Sequence, residues 1–215
     1  MKKILTTLLL TATLISCGDK KFEIQKTELN KSNENFEVAA TYPTVKGEVS
    51  ENVSRAFSDI ESSIKQYAQM LETESSNITP TAPYTMKTNY EVFENKNLGV
   101  TSVLIDASLY TGGAHAEPTK VAVNIDNKTK DEYKLDNVIS AEKKQAILDK
   151  INAAIDNKQK FDGSAFDNFG THVDDFSSLN FYFKDDKAIA FFDPAVIAPH
   201  SEGFIEFAFN ADELK

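Results

Sequence analysis

Residues 84–115 read YTMKTNYEVFENKNLGVTSVLIDASLYTGGAH. Tyr84, Met86, Tyr90 and Val92 fall on one parity, and Lys87, Asn89 and Glu91 fall on the other. That alternation predicts a half-buried strand. Residues 94–97 read as a hairpin turn, after which Val103, Ile105, Ala107 and Leu109 line one face of a second long strand. Its other face carries Ser102, Asp106, Ser108 and Tyr110, which is too polar for a core. The strand runs into Gly112 and Gly113, adjacent glycines that permit backbone angles closed to other residues. Two long strands on one tight connection point to an antiparallel sheet.

The segments on either side extend this pattern. Phe22 and Ile24 open an alternating run, and Phe36, Val38, Ala40 and Tyr42 alternate again up to Pro43. From Ser50 the period changes. Val53, Phe57, Ile60, Ile64, Tyr67 and Leu71 recur at three and four, which predicts one helix to about Leu71 with Ser50 as its cap. Residues 72–83 read as loop. Past the glycines, Val121, Val123 and Ile125 form a strand. Tyr133, Leu135 and Val138 lead to a helix capped by Ser140 with Ile147, Ile151 and Ile155 as its buried stripe. Residues 161–178 are acidic and aromatic without a period. Leu179, Phe181 and Phe183 alternate, Asp185 and Asp186 turn the chain, and residues 188–192 return. Residues 194–203 are a rigid loop before a last strand with Ile205, Phe207 and Phe209. The expected fold is α+β, an antiparallel sheet of several long strands with two main helices packed on it. One domain is expected over residues 35–215, with 72–83 as the possible break.

The start of the chain reads as an address. Lys2 and Lys3 precede an apolar run over residues 4–15 that is broken only by threonines and Ala12. Such a run is a signal-peptide core and too short for a membrane span. It ends in Leu14, Ile15, Ser16 and Cys17, which resembles the lipobox of bacterial lipoproteins. The resemblance implies a leader over residues 1–16, cleaved before Cys17, whose sulfur carries diacylglycerol and whose amine is acylated. A tether and first strand would follow over residues 17–34. Each buried acyl methylene adds about 0.8 kcal/mol, so several chains would hold the protein on a bacterial membrane, on the periplasmic side or cell surface. The alternative is a plain secreted protein whose leader happens to contain a cysteine.

Cys17 is the single cysteine, so no disulfide within the chain, no cysteine zinc cluster and no thiol nucleophile is expected. The net charge is −10, and loss of Lys2 and Lys3 with the leader makes it −12. An acidic chain without a basic patch repels nucleic acid and anionic lipid. It attracts a cationic partner and speeds the encounter, although such charge also keeps an exported protein soluble.

Tyr110-Thr111-Gly112-Gly113-Ala114-His115 resembles the Tyr-x-Gly-Gly-Ala-His signature of a bacterial extracytoplasmic domain of unknown function. That domain is shared by the anti-sigma factor RsiV and the non-catalytic part of the peptidoglycan deacetylase PdaC. Phe181-Tyr182-Phe183, Ala190-Phe191-Phe192-Asp193-Pro194, Ile197-Ala198-Pro199 and Gly203 resemble its closing motif in order and spacing. This chain departs from the family at Ala195, where an aromatic residue often follows the Asp-Pro, and at His200, where tyrosine is common. The resemblance implies a stand-alone envelope lipoprotein of unassigned function. In one branch the domain binds lysozyme; in the other it accompanies a separate catalytic domain that this chain is too short to carry.

The candidate binding or signature residues are therefore Tyr110, Gly112, Gly113, His115, Asp193, Pro194, Pro199 and His200, with Cys17 for lipidation. His115 is either a ligand or general base, or a turn histidine whose ring bonds backbone groups. No carboxylate or second histidine stands beside it at metal-ligand spacing, and His115, His172 and His200 could converge only through the fold. Asp193 before Pro194 is expected to start a turn. A catalytic acid would need a partner carboxylate such as Asp106 or Glu202. Residues 162–175 lack the spacing of a calcium loop. No nucleophile elbow, phosphate loop or dinucleotide fingerprint occurs. No catalytic residue, metal or cofactor is expected. The polar face of Ser102, Asp106, Ser108 and Tyr110 is either a recognition surface or an ordinary solvent face. These readings point to a non-enzymatic binding lipoprotein for lysozyme or another basic protein. The alternatives are a protein that binds or modifies peptidoglycan glycan, and a structural envelope protein without a soluble ligand.

Overall fold

The computed structural model describes residues 10–11, 22–77 and 80–214. Cys17, the proposed cleavage point and the tether at 18–21 lie outside the described residues. The fold class is α+β, as expected. A six-stranded sheet runs in the order β1 (Leu10–Thr11), β2 (Phe22–Ser32), β3 (Phe36–Gly47), β4 (Tyr84–Asn95), β5 (Val100–Tyr110) and β6 (Glu117–Asp126). A separate three-stranded sheet holds β7 (Asn180–Lys184), β8 (Lys187–Phe192) and β9 (Ile205–Asn210). Among the described residues no helix is long and apolar enough to cross a membrane.

The chain divides into two compact units. One comprises residues 1–92, 103–123 and 127–132; the other comprises 93–102, 124–126 and 133–215.

In the first unit, β2 and β3 pair antiparallel from Phe22↔Gly47 to Ser32↔Glu37. The Asn33 side chain closes their turn by accepting from Asn35 N at 2.7 Å and Phe36 N at 3.1 Å. β3 and β4 are parallel, from Phe36↔Tyr84 to Ala40↔Thr88. Parallel neighbours need a long crossover, and helix α1 (Glu51–Asn77) provides it. Ser50 caps α1 as expected, its hydroxyl accepting from Val53 N at 3.3 Å. The helix buries Val53, Phe57, Ile64, Ala68 and Leu71, and the last three pack with Phe36, Val38, Ala40 and Tyr42 of β3 and Met86 of β4. It runs past Leu71 to Asn77, through residues expected to be loop. Asn35 Nδ2 donates to Ser75 O at 3.1 Å and Lys31 pairs with Glu72 at 3.0 Å, so tertiary bonds hold this polar last stretch.

The second unit includes the β4–β5 turn, which lies at residues 96–99, slightly later than expected. Asn95 is fully buried, and its Oδ1 accepts from Leu98 N at 2.9 Å. Helix α2 (Ala141–Asp156) is capped by Ser140, which accepts from Lys143 N. Its Ile147, Ile151 and Ile155 enter a core with Phe183 of β7, Phe192 of β8 and Phe207 of β9. Phe192 and Phe207 meet edge to face at 6.0 Å, and Tyr133 and Phe183 do so at 5.1 Å. Each helix thus belongs to a different unit.

Ser102 was expected on a solvent face and is instead completely buried. Its hydroxyl donates to Asn124 Oδ1 at 2.6 Å and accepts from Phe183 N at 2.8 Å, while Asn124 Nδ2 donates to Phe181 O at 2.8 Å. Polar residues are tolerated here because every partner is supplied. Replacing Ser102 with alanine leaves the buried Phe183 N–H without an acceptor and should cost about 1–3 kcal/mol, read from the urea midpoint. An unchanged midpoint would show the bond to be dispensable. Phe207→Ala, which opens a cavity under three rings, should cost about 3–5 kcal/mol by the same measurement.

Candidate functional site

The helix-facing side of the sheet is covered unevenly. α1 packs mainly on β3, and beside it lies a groove of about 510 Å³ contained in the first unit. One wall is a second stripe of α1, Ala56, Ile60, Ser63 and Tyr67, at spacings of four, three and four. That stripe flanks the buried one. The floor is Met86 of β4, Ile105, Ala107 and Leu109 of β5, and Val121 and Val123 of β6. Ile105, Ala107 and Leu109 share a face, as their alternation predicts. Tyr67 is 47% exposed and Val121 is 41% exposed, although both read in sequence as core positions. Asp59, Glu117 and Glu132 supply carboxylates to the lining, and among the described residues no lysine, arginine or histidine lines it.

The Tyr110–His115 turn connects β5 to β6 and so joins two strands of this floor. Tyr110 Oη donates to Gly113 O at 3.2 Å. Gly112 and Gly113 have φ of +96° and +107°. A Cβ on Gly112 would lie 3.7 Å from the Tyr84 ring, an ordinary contact, so the glycine is required by its backbone angle and not by space. His115 is exposed and bonds no backbone group among the described residues. On the opposite face of β5 and β6, Asp106 and Lys120 pair at 4.0 Å.

The second signature lies in the other unit. Asp193 is exposed, and its backbone carbonyl accepts from Val196 N at 3.3 Å across a turn in which Ala195 has φ of +66°. Ile197 and Ala198 are buried, and Ile197 O accepts from Phe169 N at 3.2 Å. Pro199 is half-buried, and its carbonyl accepts from Glu202 N at 2.9 Å in the short turn that begins at exposed His200. The motif therefore plugs a core and fastens the segment before it; Pro194 is half-buried beside Asp193. Glu202 Oε1 accepts from Asp167 N at 3.4 Å. Tyr110, Gly112, Gly113, His115 and Asp106 thus belong to the first unit, and Asp193, Pro194, Pro199, His200 and Glu202 to the second. Among the described residues, no group of three or more histidine, cysteine or carboxylate side chains is arranged to hold a metal ion.

Residues 29–117 match the family model described as Deacetylase PdaC, and residues 127–211 match that described as a protein of unknown function, DUF3298. Two successive stretches of the chain are thus similar to the PdaC and DUF3298 families. The glycine signature falls in the PdaC part and the Asp-Pro motif in the DUF3298 part. A DUF3298 family member from Bacteroides fragilis NCTC 9343 has a similar fold, with a TM-score of 0.57 at 16% identity over 90% of this chain and 92% of its own. A DUF3298 family protein from Pseudomonas aeruginosa PAO1 gives 0.54 at 14% identity over 91% and 92%. At these identities the likeness is one of fold. No curated protein matches. The α1 stripe, β4 and β5 of the groove lie in the PdaC part.

In the DUF3298 part, His172 Nε2 sits 2.7 Å from Asp156 Oδ1 at the end of α2, and this bond raises the imidazole pKa above its usual value of 6.5. A pKa raised by folding gives stability that is fully present below the unfolded value and lost as pH rises through the folded one. His172→Gln should therefore lower the urea midpoint at mildly acidic pH and leave it unchanged in the alkaline range. A gap of equal size at both pH values would contradict this.

Proposed function

We propose that this PdaC/DUF3298 chain is a non-enzymatic binding module of the bacterial cell envelope, lipid-anchored through Cys17, with the groove of its first unit as the ligand site. The observation that carries the reading is the groove itself. It is a largely apolar cleft of about 510 Å³ rimmed by carboxylates, and among the described residues no imidazole, thiol or amine lines it. That is a lining suited to holding a ligand. The net charge of −10 favours a basic protein partner such as lysozyme. Lysozyme immobilised on beads should retain the protein at low ionic strength and release it as salt screens the attraction. Failure to bind at low salt removes this partner. Anchoring is read separately: Cys17→Ser should move the protein from the membrane to the soluble exported fraction.

The PdaC match favours a second reading, attachment to or modification of peptidoglycan glycan. Co-sedimentation with purified peptidoglycan, followed by an assay for released acetate or sugar, separates attachment from catalysis.

A further inference from the structure

We propose that the groove takes a cationic amphipathic segment, a stretch of polypeptide whose apolar side chains are interspersed with lysine or arginine. This rests on the binding-module reading and names the chemistry of its ligand.

Three observations carry it. The first is the paired stripe on α1. A helix that packs on a single sheet needs one apolar face. α1 has the buried face from Val53 to Leu71 and, beside it, Ala56, Ile60 and Tyr67 turned to the groove. The second is exposure. Tyr67 and Val121, 47% and 41% exposed, line the groove from the helix and from β6. Apolar surface of this kind next to a cleft marks a binding site more than a packing fault.

The third is charge, which selects among apolar ligands. Asp59, Glu117 and Glu132 are in the lining, and among the described residues no cationic side chain is. A fatty-acid carboxylate or a lipid phosphate entering here would be desolvated beside like charges, which is unfavourable. A lysine or arginine flanking a buried leucine would meet carboxylates at the rim. A neutral sugar would find one aromatic platform, Tyr67, and otherwise an aliphatic floor. The hydroxyls of Ser63 and Thr119 add partners for the backbone of the incoming segment. The volume falls within the range of about 300–1,000 Å³ typical of ligand clefts.

The test uses the full chain and three short labelled peptides of one length, alternating leucine with lysine, leucine with glutamate, or serine with lysine. Fluorescence anisotropy should show the leucine–lysine peptide bound at least about tenfold more tightly than either control. Ser63→Trp, on the exposed flank of α1, and Ala107→Trp, on the floor, should each weaken it at least about tenfold, with folding verified by circular dichroism and thermal midpoint. Asp59→Asn and Glu117→Gln should weaken binding and flatten its salt dependence.

Equal binding of the leucine–glutamate peptide would make the groove a plain apolar or fatty-acid site and overturn the proposal. Equal binding of the serine–lysine peptide would reduce it to surface charge, and no binding of the leucine–lysine peptide would end it. Undiminished affinity in Ser63→Trp would place the segment elsewhere. Lysozyme retained equally by the wild type and Ser63→Trp would leave an envelope binding module standing, but would remove the groove as its ligand site and defeat this proposal.

Discussion

The first unit depends on the burial of one face of α1 against β3. Ile64, Ala68 and Leu71 find their apolar partners in Phe36, Val38, Ala40 and Tyr42. At 27 residues the helix spans about 40 Å, so once docked it bridges the whole distance from the end of β3 to the start of β4. The crossover then makes β3 and β4 parallel, and the short turns at 33–35, 96–99 and 111–116 suit antiparallel neighbours. Because a helix is about 10 Å wide and strands are about 4.8 Å apart, one helix cannot cover a six-stranded sheet. The groove lies over β5 and β6. The groove is thus a geometric result of building a wide sheet under a single crossover helix.

What fills that floor in sequence is informative. A solvent-facing floor would normally carry lysine, glutamate or threonine in alternation. Here β5 presents Ile105, Ala107 and Leu109, and β6 presents Val121 and Val123. The charged residues sit at the margins. A concave apolar floor with charge confined to its edge gives affinity through the floor and selectivity through the rim.

Much of the fold was legible from periodicity alone. Both helices, both caps, the β4 and β5 strands and the three strands of the second sheet follow from apolar spacing and turn residues. The misreadings share one cause: burial depends on what lies opposite, and no local pattern reports that. Ser102 looks like surface because serine in alternation usually is, yet Asn124 and the Phe183 amide stand across from it. Tyr67 looks like core because it keeps step with Ile60 and Ile64, yet it lines the groove and is exposed. A signal for the groove was present in the helix. Its apolar positions extend over more than one face, through Ala56, Ile60 and Tyr67, which one packed side does not require. The division into units was not visible, because it cuts through β4, β5 and β6 where the composition does not change.

Residues 161–178 have little regular secondary structure, yet Phe166, Val173 and Phe176 are buried. The Asn152 side chain explains how Val173 is held. Its Oδ1 accepts from Val173 N at 2.8 Å and its Nδ2 donates to Val173 O at 3.0 Å, so one amide group satisfies both backbone groups as a strand neighbour would. A segment fastened at points tolerates changes in length between them, since doubling a loop adds only about 0.6 kcal/mol of closure entropy. The stretches between these fastenings are therefore where insertions, epitope tags or a grafted loop can enter the chain with least disturbance to α2 and the aromatic core.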